Sequence, residues 1–238
     1  MDEYEPLRKV LQFYQLLGFN RLPYSLISTP DNKELISTGI TPEVETMNEL
    51  NNLSVDEALV RLREKIGDCT RCKLHGGRTN IVFGQGSDKS GLMFIGEAPG
   101  KEEDLQGLPF VGKAGELLTN LITKMGLKRE DIYITNLVKS RPPRNRNPEP
   151  DEIAACKPFL LKEIDIIKPA VIITLGAVAT KNLLEKNDSI TALRGKVYDF
   201  RGAKVIPTFH PAYLLRNPKA KWLTWDDAQK ALKLLAQS

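Results

Sequence analysis

From about residue 80 onward the chain alternates short apolar runs, each closed by Gly, Pro or a polar residue, with segments of helical periodicity. No other feature restricts the fold as much. "GLMFIGEAPG" is an apolar run ending in a Gly/Pro turn and reads as a buried strand. "AGELLTNLITKMGL" has helical spacing and "DIYITNLVK" is strand-like. "PDEIAACKPFLLKEIDIIK" is helical, with an acidic first turn that suits the helix dipole. "AVIITLG" gives a further strand, "AVATKNLLEK" a helix, "KVYDF" and "KVIPTFHPA" two strands, and "WDDAQKALKLLAQ" a closing helix. This order predicts an α/β domain, a mostly parallel central sheet with helices on both faces. Ligands of such sheets bind beyond the carboxyl ends of the strands. Three polar features fall there: "GEAPG", Asn136 and "HPA".

The α/β domain is taken as residues 54–238, and residues 1–53 as an extension. Leu7, Val10, Leu11, Tyr14 and Leu17 recur at helical spacing and predict a helix over 1–19. The following stretch to residue 53 is polar, carries Pro23, Pro30 and Pro42, and reads as a linker. The extension is a candidate docking segment for a protein partner. Ser54, with Glu57 three residues on, forms a capping box for the helix that leads to Cys69.

Hydrophobic content of 41% and charged content of 27% over 238 residues are those of an ordinary globular chain. No apolar run approaches the roughly 20 residues that cross a bilayer. The acidic start "MDEYEPLRKV" lacks the apolar core of a signal peptide. A cytoplasmic monomer without a membrane partner is therefore expected. A formal net charge of +4 does not establish a nucleic-acid partner. Its distribution says more: "KSRPPRNR" gathers Lys139, Arg141, Arg144 and Arg146 in a Pro-rich loop, either a solvated loop or a phosphate-contacting one. The three cysteines, Cys69 and Cys72 in "CTRC" and Cys156, are too few for a disulfide framework and read as a metal site lacking one ligand. A zinc site completed by His75 is open at this point.

Three segments together, "GEAPGKEEDLQGLPFVGKAGELL", "ITNLVKSRPPRNRNPEPDEIAAC" and "HPAYLLR", resemble the family 4 uracil-DNA glycosylases, the iron–sulfur type, over roughly residues 55–238. The resemblance implies a DNA repair enzyme that flips deoxyuridine out of the stack and hydrolyses its N-glycosidic bond. Phe110 then matches the aromatic on which uracil stacks, and Asn136 the residue that reads uracil N3–H and O4. His210 matches the donor to uracil O2, where negative charge develops as the base leaves. Glu97 would orient the attacking water or offset charge on the sugar. Gly96 and Ala98 flank it as substrate-binding positions. The better-known family 1 enzymes carry an Asp where this chain has Ala98 and a thymine-excluding Tyr where it has Gly100, so another group must exclude thymine, with Glu103 as a candidate. No lysine stands in a Schiff-base motif, which implies a monofunctional enzyme. Tyr213, Leu214 and Leu215 are wedge candidates, with Leu214 and Leu215 equally readable as the start of a buried helix. Arg216, Lys219 and Lys221 are candidates for phosphate contact.

The resemblance also implies a 4Fe–4S cluster. Cys69, Cys72 and Cys156 match three of its four cysteine ligands, and the fourth position is Ser140. Ser140 is then an oxygen ligand, or faces an open or missing iron, or was introduced in place of cysteine. A competing reading of the whole is an iron–sulfur DNA-binding protein that has lost catalysis. The intact set Glu97, Phe110, Asn136 and His210 speaks against it.

Overall fold

The computed structural model describes residues 53–237; the helix expected over 1–19 and most of the linker lie outside the described residues. Helix α1 (Val55–Ile66) begins at the expected capping box, the Ser54 hydroxyl accepting from Glu57 N–H and the Glu57 carboxylate accepting from Ser54 N–H. The chain then passes the two cysteines of "CTRC" and enters the sheet domain. In order come β1 (Leu92–Gly96), α2 (Lys101–Gln106), α3 (Lys113–Lys124), β2 (Tyr133–Asn136), α4 (Pro150–Ile167), β3 (Val171–Leu175), α5 (Ala177–Leu184) and α6 (Ile190–Leu193). Strands β4 (Tyr198–Phe200) and β5 (Ala203–Thr208) and helices α7 (Pro211–Arg216) and α8 (Lys221–Leu235) complete it. The short helices α2 and α6 are additions to the elements expected from the sequence.

The five strands lie in the order β2-β1-β3-β5-β4. All neighbours are parallel except β4 and β5, which pair antiparallel. Strand residues alternate between two cores, as a period of two demands. Met93, Ile95, Ile172 and Val205 face the core shared with α1, α4 and α5. Leu92, Phe94, Ile173 and Ile206 face the core shared with α3 and α8. The sheet is thus covered on both faces. Because β1 is flanked by β2 on one side and β3 on the other, the chain reverses direction across the sheet there, and the crevice of a doubly wound sheet opens at that place.

One buried charge network departs from the sequence reading. The Lys139 ammonium is buried and cannot reach a phosphate. It donates to Glu163 Oε2 at 2.5 Å, Thr135 Oγ1 at 2.6 Å and the Asn136 carbonyl at 3.0 Å. Glu163 is fully buried and also accepts from the Tyr133 hydroxyl. Lys139 therefore ties the end of β2 to α4. A charge removed from water in this way is tolerable only when paired and hydrogen-bonded.

Candidate active site

The parallel strands deliver three of the expected residues to the carboxyl-terminal end of the sheet. Gly96 and Asn136 are register partners at the ends of β1 and β2, and His210 follows the end of β5. Glu97, Ala98, Phe110, Asn136 and His210 line one cleft of about 570 Å³, with Tyr213 and Arg216 at the same opening. That volume suits a base and its sugar.

Asn136 is buried, and its Oδ1 has no hydrogen-bond partner among the described residues. A buried carbonyl oxygen left unpaired costs free energy unless a ligand satisfies it. Gly96 holds the floor below it: a Cβ there would lie 2.3 Å from Asn136 Oδ1 and 2.5 Å from Phe110 Cζ. Only glycine lets the amide and the ring meet. Phe110 adopts φ +53°, the left-handed region, and its ring centroid lies 5.9 Å from that of His210 at an interplanar angle of 34°.

His210 caps α7. Its Nδ1 accepts from Ala212 N–H at 3.1 Å, which leaves the proton on Nε2 in the neutral ring. Burial, reinforced by the charge of Arg216 and opposed by Glu103, lowers its pKa to about 4. The imidazole is thus a neutral Nε2–H donor at physiological pH. Gly176, with φ +90°, ends β3 against it, and a Cβ there would lie 3.0 Å from His210 Cβ.

The Glu97 carbonyl accepts from Val138 N–H at 3.1 Å, but its carboxylate has no hydrogen-bond or ion-pair partner among the described residues, and burial raises its pKa to about 7. The sign of the linkage follows. A carboxyl whose pKa rises on folding binds its proton more tightly in the native state, so stability falls as pH climbs from about 4.5 toward 7. Glu97→Gln is expected to stabilise the protein at pH 8 by roughly 1–2 kcal/mol, after discounting for partial exposure, and to leave it unchanged near pH 4. Thermal melts at the two pH values check this.

Glu103 is occupied structurally. Its carboxylate accepts from Val111 and Gly112 N–H, each at 3.0 Å, and from Gly100 N–H at 3.1 Å. It binds the loop after β1 to the loop that carries Phe110, and its oxygens are not free to read a base.

The basic loop also sorts differently from the sequence reading. Arg146, which also lines the cleft, forks onto buried Glu152 at 2.6 and 2.8 Å, so its guanidinium organises the loop. Arg144 is exposed, with no side-chain partner among the described residues, and Arg141 donates Nε–H to Asn145 Oδ1 while remaining partly exposed. Arg216, Lys219 and Lys221 are exposed as expected. Leu214 is buried at 4% exposure, so the helix reading holds for it and it is no wedge. Tyr213 and Leu215 project from the same helix at 39% and 43% exposure. A buried Leu between two exposed neighbours is what one turn of α7 imposes.

Cys69, Cys72, Ser140 and Cys156 line a second, smaller cavity beneath the basic loop. They come from three segments: the link after α1, the end of β2, and α4. Lys139 N–H donates to Cys156 Sγ at 3.2 Å, and Arg71 Nη1 to Cys69 Sγ at 3.3 Å. Arg78 Nη1 reaches Ser140 Oγ at 3.4 Å. Among the described residues no three His, Cys, Asp or Glu side chains converge on a single metal position. His75 is exposed, its Nδ1 lies 2.9 Å from the Cys72 carbonyl oxygen, and it does not line the cavity.

The profile of the uracil DNA glycosylase superfamily matches residues 83–235. A type-4 uracil-DNA glycosylase of Thermotoga maritima is 49% identical over 180 residues, covering 74% of this chain and 94% of that protein. The type-4 uracil-DNA glycosylase of Sulfurisphaera tokodaii is 46% identical, covering 75% of this chain and 85% of its own length. That of Saccharolobus solfataricus is 47% identical, covering 74% and 85%. With the cleft geometry, these likenesses place the chain: it belongs to the uracil-DNA glycosylase superfamily, among the type-4 enzymes.

Proposed function

We propose that this chain removes uracil from DNA by hydrolysing the N-glycosidic bond of deoxyuridine, leaving an abasic site. The unpaired Oδ1 of buried Asn136 carries the reading. Uracil offers N3–H to that oxygen and O4 to the amide NH₂. Cytosine presents the reverse pattern and would leave both ends unpaired.

The reaction follows from the residues around it. The flipped base stacks on Phe110 with its O2 toward His210. Water adds through oxygen to the sugar carbon as the bond to the base nitrogen breaks, and the bonding electron pair leaves with uracil. The negative charge spreads to O2, where the neutral Nε2–H of His210 meets it. The bond strengthens as charge develops, so it favours the transition state over the ground state. Glu97 in its ionised form holds the water and takes its proton. Since His210 is neutral above about pH 4, it contributes no titration near neutrality. Activity should instead rise with pH through about 7 as Glu97 ionises, and the limb should vanish in Glu97→Gln.

His210→Ala is expected to lower kcat about 100-fold with little change in KM, the pattern of an interaction made in the transition state. The products are tested on a duplex bearing one deoxyuridine. Free uracil should be released and the strand remain intact until alkali is added. Cleavage without alkali would overturn the monofunctional assignment.

Arg141, Arg144, Arg216, Lys219 and Lys221 are the partly or fully exposed cations assigned to phosphate contact, and the exposed Tyr213 and Leu215 are assigned to enter the stack. The second cavity supports an iron–sulfur cluster held by Cys69, Cys72, Cys156 and Ser140. Donors spread around a cavity suit a multi-iron group better than a single zinc ion, whose ligands converge at about 2.0–2.3 Å. When bound, the cluster would supply a cross-link joining the segment after α1, the end of β2 and α4. Ser140 offers a hard oxygen to a soft metal. Ser140→Cys is expected to raise the iron retained per chain and to intensify thiolate-to-iron absorption. Equal iron in both proteins would remove Ser140 from the ligand set.

A further inference from the structure

Phe110 must lie flat under the base, yet its backbone sits at φ +53°, which residues with a side chain rarely adopt. The surrounding bonds explain why it stays there. The peptide unit joining Phe110 to Val111 is gripped at both ends. Its carbonyl accepts from Arg129 Nη2 at 3.1 Å, and its N–H donates to Glu103 Oε1 at 3.0 Å. Arg129 Nη2 also donates to the Pro109 carbonyl at 2.8 Å, and Nη1 to Thr119 Oγ1 on α3 at 3.0 Å. The first turn of α3 closes the remaining side: a Cβ on Gly115 would lie 1.9 Å from the Phe110 carbonyl oxygen.

Arg129 stands in a single 3-10 turn, Arg129–Asp131, that leads directly into β2 and so to Asn136. The segment that sets the edge-reading amide therefore also holds the carbonyls on either side of the strained Phe110. The guanidinium is suited to this. Its planar, divergent donors reach two carbonyls and a hydroxyl at once, which a lysine ammonium on a shorter stem does not reproduce.

We infer that Arg129 is a positioning residue for base excision, acting through the Phe110–Val111 peptide to fix the stacking ring beneath the base that Asn136 reads. This rests on the uracil reading of the cleft. A sub-ångström displacement of a positioned ring lowers rate well beyond the loss of one surface contact, because the reacting geometry is lost with it.

The test is a double-mutant cycle on uracil release, with inhibition by free uracil measured alongside. Arg129→Met should lower kcat/KM by about 10- to 30-fold and weaken inhibition by uracil by a similar factor. In a Phe110→Ala background the same substitution should cost less than about 2-fold, since the ring it positions is gone. If Arg129→Met fails to fold, Arg129→Lys carries the same comparison. An equal loss in both backgrounds, or no loss from Arg129→Met where Phe110 is retained, would overturn the inference. Failure of the uracil reading looks different: the unsubstituted, folded protein would then release no uracil at all.

Discussion

Asn136→Ala should lower kcat/KM for uracil release about a thousandfold, close to 4 kcal/mol of transition-state stabilisation. The substitution removes both the acceptor for N3–H and the donor for O4. It leaves those two groups of the base unpaired in a cleft floored by Gly96 and Phe110. Folding stability should respond much less. Asn136 Oδ1 is already unpaired and buried, so its removal relieves a desolvation penalty that partly offsets the small cavity left behind. A change in melting temperature of only a few degrees, beside a thousandfold loss of rate, would separate recognition from folding. A large loss of stability would instead mean that Asn136 is structural.

Lys139→Ala should be the most damaging single substitution for stability, at about 3–5 kcal/mol. It strands the carboxylate of Glu163, which is fully buried and paired to Lys139 at 2.5 Å. The same change frees the Asn136 carbonyl, so activity should fall along with stability. Lys139→Met combined with Glu163→Gln removes both charges together and should recover part of the loss, because breaking such a pair costs more than replacing it. Chemical denaturation of the single and double variants measures the difference. A double variant no better than Lys139→Ala would contradict the pairing argument.

Much of the fold was legible because each strand is a short apolar run closed by a turn, and each long helix repeats its apolar positions at three and four. The sheet order was not legible: strand neighbours are chosen by packing over long sequence separations. Glu97, Asn136 and His210 were readable because strand ends are where a parallel sheet exposes side chains to a ligand. Lys139 was misplaced because a lysine beside arginines and prolines looks like surface. The signal lay on its partner, since Glu163 interrupts the apolar stripe Leu160, Ile164, Ile167 of α4. The ion pair of Arg146 was hidden for the same reason, its partner Glu152 being buried on that helix. Arg129 gave no local sign of its role, because it acts on backbone carbonyls 19 and 20 residues away, and Glu103 gave none because its partners are backbone N–H groups, which carry no residue signature. Leu214 shows packing deciding between two readings that spacing left equal.

The most direct measurement is single-turnover base release from three oligonucleotides that differ only in carrying deoxyuridine, thymidine or deoxycytidine at one position. The arrangement of Asn136, Phe110 and His210 predicts uracil release with alkali-labile strands, and no release of thymine or cytosine. Folded protein that releases no uracil, or that releases cytosine as readily as uracil, would contradict it.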